Sequence, residues 1–209
     1  MFDNLVYGFD NHVDYRIREV VSMFTAYTPE TAPAAARPTM EGVRRKLGHL
    51  PGAVALMAES PELLKGFLTA NAIFEATDLD PIEREVVVLT VATRNGCHLC
   101  VAMHTATLTR HGATSDLIDA LRAGAPLPDP RLDALRRFTT AVLDHRGAVP
   151  DAELRAFLDA GFRRRHALDV VLGVGTYTIS TFANRLTDAP LDPPLAAYAW
   201  QPAACVDRA

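Results

Sequence analysis

Among 209 residues there are only three cysteines and one tryptophan, and no basic run longer than the RRR at 163–165. Each scarcity excludes something. A formal charge of -4 with no Lys/Arg cluster longer than that run provides no basic face, so nucleic acid is not an expected partner. The RRR run reads as a solvated loop or a helix start. No uncharged apolar stretch is long enough to span a bilayer, so no membrane partner is expected. The longest candidate, ALDVVLGVGTYTISTFANRL, is interrupted by Asp169 and by Gly, Thr, Ser and Asn, and fits a buried helix better. The N-terminus, MFDNLVYGFDNHVDYRIREVV, carries acids early and lacks a basic start followed by an apolar run. No secretory leader is therefore expected, and a cytosolic location follows. In a reducing compartment, cysteines are more often reactive, metal-bound or inert than structural staples.

What is present is helix. Hydrophobic residues make up 49% and charged residues 22%, ordinary for a globular chain able to bury a core without staples. Apolar residues recur at three- and four-residue spacing between start and stop signals. A first helix is expected over 12–27, followed by a Pro-rich linker, TPETAPAAARP, at 28–38. Thr39 is expected to cap MEGVRRKLG, which Gly48 ends. GAVALMAES follows, then PELLKGFLTANAIFEAT behind Ser60-Pro61. DPIEREVVVLTVATRNG has strand-like β-branched residues, but its Pro81 start, early acids and length favour a helix ending at Asn95-Gly96. CHLCVAMHTATLTRHG, then SDLIDALRAG capped by Thr114 or Ser115, PDPRLDALRRFTTAVLDHRG and PDAELRAFLDAG repeat the pattern. A long last helix spans about 166–187, with Gly173 and Gly175 marking close packing or a local break. The fold class is all-α. The expected organisation is 1–38 helix and linker, 39–190 helical domain, and 191–209 an irregular tail in which Trp200 packs back on the body.

The chemistry concentrates in NGCHLCVAMH, residues 95–104. On a helix Cys97, Cys100 and His104 fall at i, i+3 and i+7, along one face. Asn95-Gly96 can turn the chain so that the preceding helix lies antiparallel, which brings Glu85 toward that face. A cysteine attacks as its thiolate. The helix start favours a thiolate at Cys97, whereas His104, one turn beyond Cys100, could take the proton of Cys100. Glu85 could hold the imidazole or act as the final proton sink. A second cysteine can convert a sulfenic acid to a disulfide. The same four residues could instead serve as zinc ligands, but three ligands spaced along one helix rarely converge on a tetrahedron. Glu83 is expected to be a solvated first-turn acid. His98 is expected to shape access or to face solvent. His12, His49, His111, His145 and His166 are expected in surface or capping roles, and Cys205 outside the chemistry.

Taken with ERE-x-V-x-x-L, the run NGC-x-x-C-x-x-x-H resembles the alkyl hydroperoxidase D (AhpD) branch of the carboxymuconolactone decarboxylase-like superfamily. VRRKLGHLPGAVALMAESPELLKGFL upstream and VVLGVGTYTISTFANRLTDAPLD downstream extend the resemblance over roughly residues 40–200. It implies an all-helical AhpD-like fold built around an antiparallel helix pair that carries the Glu and the CxxCxxxH run. It also implies thiol-dependent reduction of alkyl or hydrogen peroxide. In that scheme Cys100 is the peroxidatic cysteine, Cys97 the resolving one, and His104 with Glu85 the proton relay. The partners are a hydroperoxide and an external dithiol or protein reductant, with no metal. Neither flavin nor haem is needed for such a cycle, and no Gly-rich nucleotide loop appears. A homo-oligomer, trimer or hexamer, is expected. The chain departs from the best-known hydroperoxidases at Leu99, where they carry a histidine. The lactone decarboxylases proper lack the CxxC pair. A thiol-disulfide oxidoreductase and a non-catalytic helical interaction protein remain open as alternatives.

Overall fold

The computed structural model describes residues 23–201. Most of the expected helix over 12–27, along with His12 and Cys205, lies outside them, and residues 23–27 are not helical. The described residues form nine α-helices and no strand. These are α1 (Arg37–Leu47), α2 (Gly52–Met57), α3 (Pro61–Glu75), α4 (Pro81–Arg94), α5 (His98–Arg110), α6 (Ser115–Ala123), α7 (Pro130–Asp144), α8 (Asp151–Asp159) and α9 (Arg164–Leu186). A 3-10 turn over Pro193–Tyr198 follows.

The VVVLTV run lies at the centre of the molecule. Helix α4 packs against α5, α6, α7 and α9, and Val86, Val87, Val88, Leu89, Val91 and Ala92 are all fully buried. A helix covered on every side is apolar all round, which explains why β-branched residues fill it without forming a strand. Its start is a capping box. Asp80 accepts the Glu83 backbone N–H at 2.8 Å, and Glu83 Oε2 accepts the Asp80 backbone N–H at 3.0 Å. Glu83 is not the solvated acid expected. It is 5% exposed and its Oε1 accepts a bond from Arg131 at 2.6 Å, because α7 lies against α4.

Two starts and one glycine also differ from expectation. Helix α1 begins at Arg37 with Ala36 as its N-cap, so Thr39 lies inside the helix. Pro38 is accommodated there because a first-turn residue needs no N–H partner. Ala32 and Ala36 of the expected linker are core residues. Cys97 is the N-cap of α5 rather than a first-turn residue. Helix α9 is continuous. A Cβ on Gly173 would lie 2.7 Å from the Phe74 ring and 2.9 Å from Val87, which is the close packing expected. Gly175 is exposed, with no such neighbour among the described residues.

The Arg run begins α9, and Arg163 and Arg165 both pair with Asp78. His166 is buried rather than on the surface, and it caps that helix by accepting the Arg163 backbone N–H at 3.1 Å. At the other end of the chain, Trp200 Nε1–H donates to the Arg122 carbonyl at 3.0 Å. The Arg122 guanidinium donates back to the carbonyls of Tyr198 and Ala199. Three hydrogen bonds, running in both directions, thus hold the tail segment on α6. No described helix is long and apolar enough to cross a membrane.

Candidate active site

Asn95 closes α4, and Gly96, with φ of 64°, turns the chain into α5. A left-handed φ of this kind is one that glycine adopts without steric cost. Had the two helices run on as one, Glu85 and His104 would be about 28 Å apart at 1.5 Å per residue. Instead His104 Nδ1 is 2.8 Å from Glu85 Oε2. The carboxylate can only accept, so Nδ1 carries the proton and Nε2 is left as the basic nitrogen. Glu85 is 4% exposed. The Tyr177 ring meets the imidazole edge-to-face at 5.1 Å, and Tyr177 Oη donates to Asn71 Oδ1 at 2.7 Å. Burial, reinforced by the nearby Glu85 carboxylate, pushes the Tyr177 phenol well up, so it stays a proton-bearing donor.

The two cysteines are free thiols with sulfurs 3.0 Å apart, close enough to share one proton. Cys97 Sγ also faces the Cys100 backbone N–H at 3.4 Å. The Cys100 thiol, followed by the backbone N–H groups at the start of α5, holds Cys97 down at about 7 against the opposing effect of burial. Cys100 moves the other way. Its bond to Cys97, then burial and the charge on Cys97, push it well above the usual thiol value. The first proton to leave the pair therefore leaves from Cys97.

Access distinguishes the sulfurs in the opposite sense. Cys100, His104, Tyr177, Ser180 and Asn184 line one cavity of ≈ 260 Å³, roofed by apolar side chains of α1, α2 and α3 such as Leu47, Val54 and Phe67. Cys97 lies outside that lining and is 1% exposed. A cavity of this size suits a ligand smaller than a typical drug. Among the described residues, no three His, Cys, Asp or Glu side chains are grouped to hold a metal, and Glu85 Oε2 is already engaged by His104.

Glu85, Cys97, Cys100 and His104 are thus brought together. Leu99 is core. His98 is half-buried and faces a groove beside Trp200, away from the Cys100 cavity. His49, His111 and His145 are exposed, the last two at helix ends. Sequence reasoning placed the helix α9 but missed its part in the site. Tyr177, Ser180 and Asn184 fall at i, i+3 and i+7, a polar stripe along one face of the helix, and Asn184 Nδ2 donates to Cys100 Sγ at 3.2 Å. That spacing was the available signal.

The fold and part of the sequence have counterparts among known proteins. Residues 61–141 match the carboxymuconolactone decarboxylase family. A peroxidase-related protein of the alkylhydroperoxidase AhpD core type from Ralstonia eutropha JMP134 superposes with a TM-score of 0.72 at 21% identity. The match covers 82% of this chain and 93% of that one. A peroxidase-related protein from Silicibacter sp. TM1040 gives 0.69 at 20% identity, over 83% of this chain and 92% of that one. The debrominase Bmp8, in complex with 2,3,4-tribromopyrrole, gives 0.66 at 15% identity, over 86% and 96% respectively. At such identities the likeness is one of fold. No curated protein matches the sequence. The fold is AhpD-like. The matched residues, 61–141, run from the start of α3 through most of α7 of that fold.

Proposed function

We propose that the protein is a thiol-dependent enzyme that reduces small hydroperoxides through a Cys97/Cys100 dithiol–disulfide cycle. The observation that carries this reading is the position of Cys100. It is the sulfur that lines a small cavity shared with His104, while a second sulfur lies 3.0 Å behind it. In the resting pair the charge sits on Cys97. Transfer of the shared proton from Cys100 to Cys97, or its uptake by His104 across the cavity, makes Cys100 the thiolate.

The Cys100 sulfur then attacks the terminal oxygen of ROOH. An S–O bond forms and the O–O bond breaks. The alkoxide leaves with the electron pair and takes up the proton released by the thiol. Cys100 is oxidised to a sulfenic acid and the hydroperoxide is reduced to an alcohol, or to water from hydrogen peroxide. Cys97 thiolate next attacks the sulfenic sulfur. The S–S bond forms, hydroxide leaves, and protonation gives water. An external dithiol reduces the disulfide and is itself oxidised. Glu85 fixes the His104 tautomer and stabilises the imidazolium while it holds the proton.

Confinement favours this over exchange with protein disulfides, since a Cys100 that is 2% exposed at the base of a cavity cannot meet a folded partner's disulfide directly. The similar fold of a debrominase keeps a second small-molecule reading alive, thiol attack on a halogenated heterocycle. Self-association is part of the proposal. Leu168, Val171, Ile179, Phe182 and Leu186 form an exposed apolar stripe along α9, whose other side packs on α3 and α4. An exposed apolar stripe along a whole helix marks a surface that is normally covered, and the exposed Gly175 in mid-stripe allows a second copy of this chain to approach closely.

The reading is tested by turnover of tert-butyl hydroperoxide with dithiothreitol as donor. Wild type should consume the peroxide catalytically and Cys100→Ser should fall to background. Turnover retained in Cys100→Ser would overturn the assignment, and a rate higher with a bromopyrrole than with any hydroperoxide would select the second reading.

A further inference from the structure

Asn184 is the one side chain of the site with an unmet requirement. It stands on α9, is 3% exposed, and lines the cavity over Cys100. Its Nδ2–H donates to Cys100 Sγ at 3.2 Å. The other end of the same amide, Oδ1, is buried and has no hydrogen-bond partner among the described residues. Buried polar atoms are nearly always satisfied, so an orphan acceptor beside a nucleophilic sulfur points to a ligand that donates. The neighbouring acceptor is already engaged, since Asn71 Oδ1 takes the Tyr177 hydroxyl.

We propose that Asn184 is a catalytic residue with two working ends: Nδ2–H holds the Cys100 sulfur, and Oδ1 accepts the O–H of the hydroperoxide that this sulfur attacks. This rests on the hydroperoxide reading above and narrows it. A hydroperoxide has one donor, the hydrogen on its terminal oxygen, and that oxygen is the atom the sulfur must reach. An acceptor next to Cys100 therefore selects the terminal oxygen over the inner one. The hydrogen does not move during attack. It stays on the terminal oxygen as S–O forms and O–O breaks, and becomes the sulfenic O–H, still held by Oδ1. The alkoxide takes its proton from the one released by the thiol, so Asn184 neither gains nor loses any. The substrate class is hydroperoxides with a free O–H. Dialkyl peroxides, which have none, are outside it.

Asn184→Asp and Asn184→Ala separate the two ends. Asp keeps an acceptor and the shape of the side chain but loses the N–H, whereas Ala loses both. The pH dependence of Cys100 alkylation by iodoacetamide, read by peptide mass spectrometry, needs no peroxide. Its midpoint should move to higher pH in both variants, and further in Asp, which sets a carboxylate beside the sulfur. With tert-butyl hydroperoxide and dithiothreitol, kcat should fall in both variants. KM should rise roughly tenfold in Ala and stay near wild type in Asp, as expected for losing one hydrogen bond to a ligand. Unchanged alkylation midpoints would overturn the sulfur-holding half, and an unchanged KM in Ala would overturn the O–H half. If Ala does not fold, the near-isosteric Asp decides through alkylation, and an Asp KM raised tenfold counts against the acceptor. Absence of any hydroperoxide turnover in wild type would sink the enzymatic reading and the O–H half together, while alkylation would still decide the N–H half.

Discussion

Glu85 and His104, nineteen residues apart in sequence, meet at 2.8 Å between Oε2 and Nδ1. The contact exists because α4 and α5 fold back on each other at Asn95-Gly96, and it leaves Nε2 as the imidazole's free acceptor nitrogen. Glu85→Gln should keep the shape and lose the charge. Its amide can donate to Nδ1 and so stabilise the wrong tautomer. Hydroperoxide turnover should then fall by roughly 10²-fold or more, the usual range for losing a general base, while circular dichroism stays unchanged. Equal rates in Glu85→Gln and wild type would show that the pair is structural only.

The cysteine pair makes stability depend on pH in two directions. Cys97 is held at about 7, below its value in the unfolded chain. The unfolded state therefore binds more protons between about pH 7 and 9, and folding is stabilised as pH rises through that window. The gain is on the order of 2 kcal/mol. It is fully present above the unfolded pKa and lost as pH falls through the folded one. Cys100 is raised, so above the ordinary thiol range the folded state binds more protons and stability declines again. Urea unfolding under reducing conditions should show a maximum near pH 9. Cys97→Ser should remove the rise between 7 and 9, and a rise that persisted in that variant would have to come from another group.

Gly173 allows α9 to lie close on α3 and α4. With Phe74 and Val87 carbons under 3 Å from the site of a Cβ, Gly173→Ala should destabilise by about 1–3 kcal/mol, as overpacking does. Gly66, exposed in the middle of α3 with open space around it, should behave oppositely. Gly66→Ala should stabilise by about 0.5–1 kcal/mol through helix propensity. Thermal melts of both variants check the pair. A neutral Gly173→Ala would mean that the Phe74 ring can swing aside.

How much of this the sequence revealed depends on where each partner lies. The starts of α3 and α4 were legible because Ser60-Pro61 and Asp80-Pro81 carry their signals within four residues. The Cys97, Cys100, His104 stripe was legible for the same reason, being one helix face. Glu83 was misjudged because its partner Arg131 is 48 residues away, and nothing local marks an acid as buried. The start of α1 was missed because Ala36 caps with no side-chain bond, so Thr39 looked the better candidate. The polar stripe on α9 was written in plain helical spacing, but the threonines and glycines between its members blurred it. Only the approach of α9 to Cys100 distinguishes Asn184 from the other polar residues of that helix.

The stripe on the outer side of α9 gives an expectation about assembly. If it joins copies of the chain, replacing Phe182, 58% exposed, by Asp should reduce the mass measured by light scattering without unfolding the protein. A wild-type protein that is monomeric at tens of micromolar would remove this part of the proposal.

The most direct test is mass spectrometry of the peptide carrying residues 97–104 after one equivalent of hydroperoxide, without a reductant. Wild type should lose two hydrogens in that peptide through a Cys97–Cys100 disulfide. Cys97→Ser should instead trap a sulfenic acid on Cys100, detectable as its dimedone adduct. A peptide that stays fully reduced, or a sulfenic acid that forms on Cys97 in the Cys100→Ser variant at the same rate, would contradict the account.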